Sequence, residues 1–259
     1  MKPQKLFFLS IILFAFFPIL PNRVKGLPVI IFFLCSLFVF FKYTKIKKFN
    51  FKKVLFFSGI YIFYLLSLFY TENFKFIDKT LSTRISLLIV PISFGLFSTV
   101  IDKIDERKFR LFSKIYFFST LLFSLVVIYK IISLEYYSDK VTINDVYNTL
   151  TNNLFGIEQH PIYASILISI AILLSAFKLL KANKLFEKIL LILGNIIMLF
   201  TLFFLSRKAV ILALVLSFAV FVFTNFKRIK IKKTLTLSIL IFVSAIVATP
   251  VLKKRFIIL

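Results

Sequence analysis

The sequence predicts an all-α, polytopic transmembrane helix bundle of about nine spans, a single transmembrane domain over residues 1–259. Three observations carry this prediction. Sixty per cent of the residues are hydrophobic, 37 of them Phe; apolar stretches long enough to cross a bilayer recur along the whole chain; and no soluble domain, repeat or Gly/Ser linker interrupts them. A segment crossing roughly 30 Å of hydrocarbon must satisfy every backbone polar group internally, so such stretches read as helices. A soluble domain of this length would not need so much apolar sequence.

The first stretch, MKPQK followed by LFFLSIILFAFF, imitates a signal peptide, yet it has no small-x-small cleavage site and more spans follow. It reads as a retained first helix, 6–21. The second, 27–41, contains Cys35, the single cysteine, so no intramolecular disulfide forms and no metal cluster is expected. A basic segment precedes the third, 54–70, and the fourth, 85–101, carries Pro91. The fifth, 111–134, leads into the longest polar segment, 135–159, with four acids, three Tyr and four Asn, a mixture able to hydrogen-bond and stack on sugars or simply to form a polar surface loop. His160-Pro161 opens the sixth, 161–180, since Pro suits the first turn of a helix. The seventh, eighth and ninth follow at 189–205, 209–225 and 234–252.

Loops rich in Lys and Arg stay in the cytoplasm. With the N-terminus inside, the inner segments hold 22 basic residues and the outer ones 12, and every inner loop after the N-terminal tail exceeds every outer one. Odd-numbered spans therefore run outward, and the C-terminus is extracytoplasmic.

The stretch FFLSRKAVILAL, 203–214, places Arg207 and Lys208 between two uncharged apolar runs. One helix over 189–224 would reach roughly 54 Å at about 1.5 Å per residue, too long for a single crossing. The stretch is a hairpin, with Ser206-Arg207-Lys208 at a tip that the charge count places outside. Cations near helix ends commonly snorkel to headgroups, the plain reading for Lys208. Arg207 gains a second reading below.

The net charge of +24 is not a nucleic-acid signal, because no soluble domain carries a basic stripe. With 27 Lys among 34 basic residues and abundant Phe, Ile and Asn, it reflects an AT-rich genome and membrane topology. Neither a nucleotide-binding loop nor a dinucleotide fingerprint occurs, so no cofactor is expected.

FLSRKAVILALVLSF, 204–218, resembles the Ser-Arg-x-Ala segment of the O-antigen ligase and O-antigen polymerase superfamily, bacterial integral membrane glycosyltransferases. YTENFKFIDKTLSTRISLLIVPISFGL (70–96) and EQHPIYASILISIAILL (158–174) fit the same pattern in order and spacing. The resemblance covers about residues 54–255. It implies a reaction at the outer face of the bacterial inner membrane, with no nucleotide-sugar and no essential metal. A glycan passes from undecaprenyl diphosphate to a sugar hydroxyl, either on lipid A core or on another glycan.

The leaving group of that reaction is a diphosphate, whose developing charge is best met by fixed donors at low dielectric. A planar guanidinium that binds phosphate oxygens in pairs suits the task. Arg207, at the family's Ser-Arg position, is the first candidate. Arg84, at the outer start of the fourth span, is the second, with interfacial anchoring as its alternative. Lys208 is a further diphosphate ligand by position. His160, the single histidine, sits at the outer end of the sixth span, where an imidazole can accept or orient a hydroxyl proton. In the ligases the histidine regarded as catalytic belongs instead to a large outer loop further along. This chain ends at VLKKRFIIL where the family continues into that loop, so the sequence predicts a fragment or a shortened homologue.

Two other functions compete. A lipid-linked oligosaccharide flippase or transporter has as many spans, but coupled carriers keep acids within their helices, whereas all ten Asp and Glu here fall in loops or at span edges. A non-catalytic truncated homologue is the other.

Overall fold

A computed structural model describes residues 3–43, 51–66, 85–98, 106–137, 143–152, 154–205 and 208–225. Every regular element among the described residues is helical. The predicted ninth span, 234–252, lies outside them, as do 67–70 of the third span and 99–101 of the fourth.

The helices are α1 (Pro3–Ile12), which tightens into a 3-10 segment over Leu13–Ile19, α2 (Leu27–Tyr43), α3 (Phe51–Phe57), α4 (Gly59–Leu66) and α5 (Ser86–Ser98). They continue as α6 (Glu106–Tyr137), α7 (Ile143–Asn152), α8 (Pro161–Lys181), α9 (Leu185–Leu205) and α10 (Lys208–Asn225). Four described segments are long and apolar enough to cross a membrane: Asn22–Lys42, Glu106–Ser133, Pro161–Leu180 and Leu185–Leu205. Pro3–Ile19, Ser86–Ser98 and Ala209–Phe218 are shorter apolar helices. These helices are apolar on both faces. On α9, Leu191, Met198 and Leu202 are buried while Leu193, Ile196 and Phe200 are exposed, which suits hydrocarbon outside as well as protein inside.

The described part of the third predicted span is divided at Ser58 into α3 and α4. Gly59, which costs a helix interior about 1 kcal/mol relative to Ala, follows a turn at Ser58. Two bonds, Ser58 N–H to the Val54 carbonyl at 2.9 Å and Ile62 N–H to the Ser58 carbonyl at 3.1 Å, carry the ladder past it. The fifth span is longer than its apolar run: α6 has 32 residues, about 48 Å, so its charged ends extend past roughly 30 Å of hydrocarbon. Its first turn holds the Glu106–Arg110 pair at 3.8 Å, one helical turn apart. Within the predicted polar loop 135–159 the chain forms α7, whose Leu150 turns inward.

The chain forms two compact units, Met1–Tyr116 and Phe117–Leu259. In unit 1, α2 packs on α5 and α1 on α2 around Phe7, Phe32, Val39 and Phe97. The aromatic rings meet edge-on, Phe7 to Phe97 at 4.9 Å and Phe32 to Phe94 at 4.9 Å, the arrangement their quadrupoles favour. In unit 2, α8 is central, with α7, α9 and α10 packed on it. Ala164, Ile168, Ala171 and Ile172 recur at helical spacing and are buried. Hydroxyls on α8 and α9 close back on their own helix, Ser165 to the Pro161 carbonyl at 2.7 Å and Thr201 to the Ile197 carbonyl at 3.0 Å, so they add no orphaned polar group.

Candidate functional site

The described site lies where α8 begins. After α7 the chain turns through Phe155 and Gly156, with φ of 54° and 85°, and the Ile157 N–H closes the turn on the Leu154 carbonyl at 3.0 Å. Gly accepts a left-handed backbone freely; Phe does not, so Phe155 is strained and must be held by its surroundings. Lys130 of α6 holds it, with its ammonium 4.2 Å from the ring centroid. The buried Leu154 anchors the turn below. A carboxylate oxygen of Glu158 accepts the Gly156 N–H at 2.8 Å, and the Gln159 N–H donates to the Leu150 carbonyl at 2.9 Å, tying the segment to α7.

This segment delivers His160 to the N-cap of α8. Its backbone is extended (φ −62°, ψ 134°), its carbonyl accepts the Ala164 N–H at 3.0 Å, and its Nδ1 accepts the Ile162 N–H at 3.3 Å. The sequence dictates that geometry. A residue before proline is pushed out of the helical region, and Pro161 at the first helical position sacrifices no donor the helix could use. The cap also fixes the chemistry of the ring. With Nδ1 accepting, the neutral imidazole carries its proton on Nε2, so it offers a donor; taking up a proton on Nδ1 breaks the cap. The base role expected from sequence therefore competes with the helix start, whereas a donor role does not.

Two tyrosines flank the ring. Tyr147 of α7 stands edge-on at 5.7 Å between centroids and Tyr163 of α8 at 5.8 Å. Both are exposed, Tyr163 at 60%. Tyr163 belongs to the His-Pro-x-Tyr entry of the sixth predicted span, and its spacing of three from His160 on a helix places the two on one face. Among the described residues no three His, Cys, Asp or Glu side chains stand together as metal ligands would.

The register of unit 2 locates the junction between α9 and α10 relative to His160. Ser175 of α8 meets Asn195 of α9, and Lys178 meets Glu187 at 2.9 Å, so the two helices are antiparallel. From Asn195 to the end of α9 at Leu205 is ten residues, about 15 Å; ten residues back from Ser175 is Ser165, in the first turns of α8. The ring contact between Phe177 of α8 and Phe221 of α10, 4.3 Å between centroids, gives the same level independently. Thirteen residues before each lie Ala164 and Lys208, and a connection this short obliges α10 to start where α9 ends. The α9–α10 junction and the His160 cap thus share one end of unit 2, and the Lys178–Glu187 pair marks the other.

Arg207 and Arg84 lie outside the described residues, and Lys208 is described as the first residue of α10. Of the sequence-predicted site residues, His160 is described as the cap of α8, and the start of α10 lies at about its level along the helices. No family model, curated protein or solved structure matches this chain.

Proposed function

We propose that the protein is an O-antigen ligase-like membrane glycosyltransferase, with nine spans and a cytoplasmic N-terminus, working at the outer face of the bacterial inner membrane. It moves a glycan from undecaprenyl diphosphate to a sugar hydroxyl, on lipid A core or on a growing polysaccharide. The observation that supports this reading is the shared level of the His160 cap and the α9–α10 junction, at the end of unit 2 that the basic-residue count assigns to the outside.

In the reaction the acceptor oxygen attacks the anomeric carbon as the bond from that carbon to the phosphate oxygen breaks. The bonding electrons leave on the diphosphate, and the hydroxyl proton passes through solvent at the interface to that departing diphosphate. Arg207 meets the departing diphosphate with paired N–H donors, a stabilisation that grows as charge develops. His160 contributes an Nε2–H donor held in orientation by its own cap. Tyr147 and Tyr163 offer ring faces and hydroxyls to a sugar beside it. The test is glycan transfer in membranes carrying Arg207→Ala and Arg207→Lys: the reading requires a large loss in the first and a smaller one in the second.

A further inference from the structure

Phe155 stands out from the turn that links α7 to α8. Its ring is 68% exposed, although the left-handed backbone beneath it (φ 54°) is one that a bulky residue adopts only at a cost. The Lys130 ammonium covers one face of the ring, 4.2 Å from its centroid. That contact sets the level of the ring, because Lys130 belongs to a segment long and apolar enough to cross a membrane, Glu106–Ser133.

The charge-free run of α6, 115–129, is about 22 Å long and ends at Lys130. Hydrocarbon is roughly 30 Å thick, so the Lys130 stem reaches its edge by climbing a few ångströms, as lysines near helix ends do. The far side of the turn gives the same level. There α8 starts at Pro161, five residues after Gly156, and already exposes Ile162, Tyr163 and Ile166 in its first two turns. An exposed phenyl ring at that level meets lipid rather than water. The backbone of the turn suits the setting, since the Gly156 N–H donates to Glu158 and the Ile157 N–H to the Leu154 carbonyl, so neither needs water. The Glu158 carboxylate also limits the depth, because a charge taken into hydrocarbon is costly.

We propose that the Phe155–Gly156 turn is a membrane anchor, its ring inserted at the boundary between headgroups and acyl chains at the end of unit 2 where α8 begins. The anchor seats the segment leading to the His160 cap on the lipid surface. It is separate from the glycan-transfer reading and stands or falls without it.

The chain has no tryptophan, so Phe155→Trp, which keeps a ring for Lys130, introduces a single indole. The experiment places the full chain in phosphatidylcholine vesicles whose acyl chains are brominated either near the headgroup or near the methyl end. The emission should be blue-shifted, quenched about twofold more by the shallow bromines than by the deep ones, and little affected by aqueous iodide. A water-exposed spectrum, quenched by iodide and by neither lipid, overturns the proposal. Equal or stronger quenching by the deep bromines does so too, since the ring would then lie below the interface. Protection from lipid quenching by added chitotriose gives the ring to a sugar and overturns it as well. A second probe does not depend on how an indole fits: a spin label on Phe155→Cys in a Cys35→Ser background should relax faster with oxygen, which concentrates in lipid, than with a water-soluble nickel chelate. The reverse order overturns the anchor whatever the indole reports.

Discussion

The Ser175 hydroxyl of α8 lies 2.6 Å from Asn195 Oδ1 of α9 and 2.7 Å from the Ile172 carbonyl, sharing its one proton between a neighbouring helix and its own. It is a polar fastening between two otherwise apolar helices, and it sets the register that brings Leu205 level with the start of α8. Interhelical hydrogen bonds in membranes contribute on average about 0.6 kcal/mol and at most about 2. Asn195→Leu should therefore lower stability by about that much in a denaturation titration in mixed micelles. A larger loss would mean that the pair organises more of unit 2 than the helices it joins.

Packing beside that pair gives a sharper stability test. A Cβ on Gly194 of α9 would stand 2.5 Å from the edge of the Phe117 ring of α6, and that ring is 2% exposed, so it has little room to swing away. Gly194→Ala should cost about 1–3 kcal/mol by overpacking. Phe117→Leu, harmful alone through the volume it removes, should recover much of the loss when combined with Gly194→Ala. Strict additivity in the double variant would show that the two positions do not touch.

His160 separates into a cap and a ring. His160→Ala removes the acceptor for the Ile162 N–H and should cost about 0.5–2 kcal/mol, while His160→Asn restores a good cap without the imidazole donor. The melting temperature should fall in the first and hold in the second. Glycan transfer should fall in both if Nε2–H serves the substrate, and an Asn variant transferring at the wild-type rate would reduce His160 to a helix start.

Topology has its own readout, since Cys35 is the chain's single cysteine. In a Cys35→Ser background, a cysteine replacing Arg207 should react with a membrane-impermeant maleimide in intact spheroplasts. Labelling that requires permeabilised membranes would move the α9–α10 junction to the cytoplasm, taking the proposed site with it.

Much of the fold is legible in the sequence where a chemical signal marks an edge. His160-Pro161 fixes the start of α8 because proline restricts its neighbour and tolerates the first helical turn. α9 ends at Leu205 and α10 starts at Lys208, where the length of a bilayer crossing demands that one helix stop and another begin. Apolar counting misses what polar contacts extend. α9 begins at Leu185, not 189, because its first turn carries Glu187, favourable at a helix N-terminus and paired with Lys178 across to α8. α7 escapes the count because INDVYNTLTN is polar on average, and only the inward turn of Leu150 reveals its role. Within the candidate site, His160 is visible as the single histidine, but its hydrogen bond to Ile162 decides its tautomer, and that bond exists only once the helix has formed.

The central claim is that Arg207 binds the diphosphate of a lipid-linked glycan, and transfer assayed in membranes with undecaprenyl-diphosphate-linked donor tests it most directly. Removing a fixed donor aimed at developing negative charge costs about 10²–10³ in rate, so Arg207→Ala should fall by that factor. Arg207→Lys should recover part of the activity, because an ammonium restores the charge without the paired fork. Transfer at the wild-type rate in both variants would contradict the account.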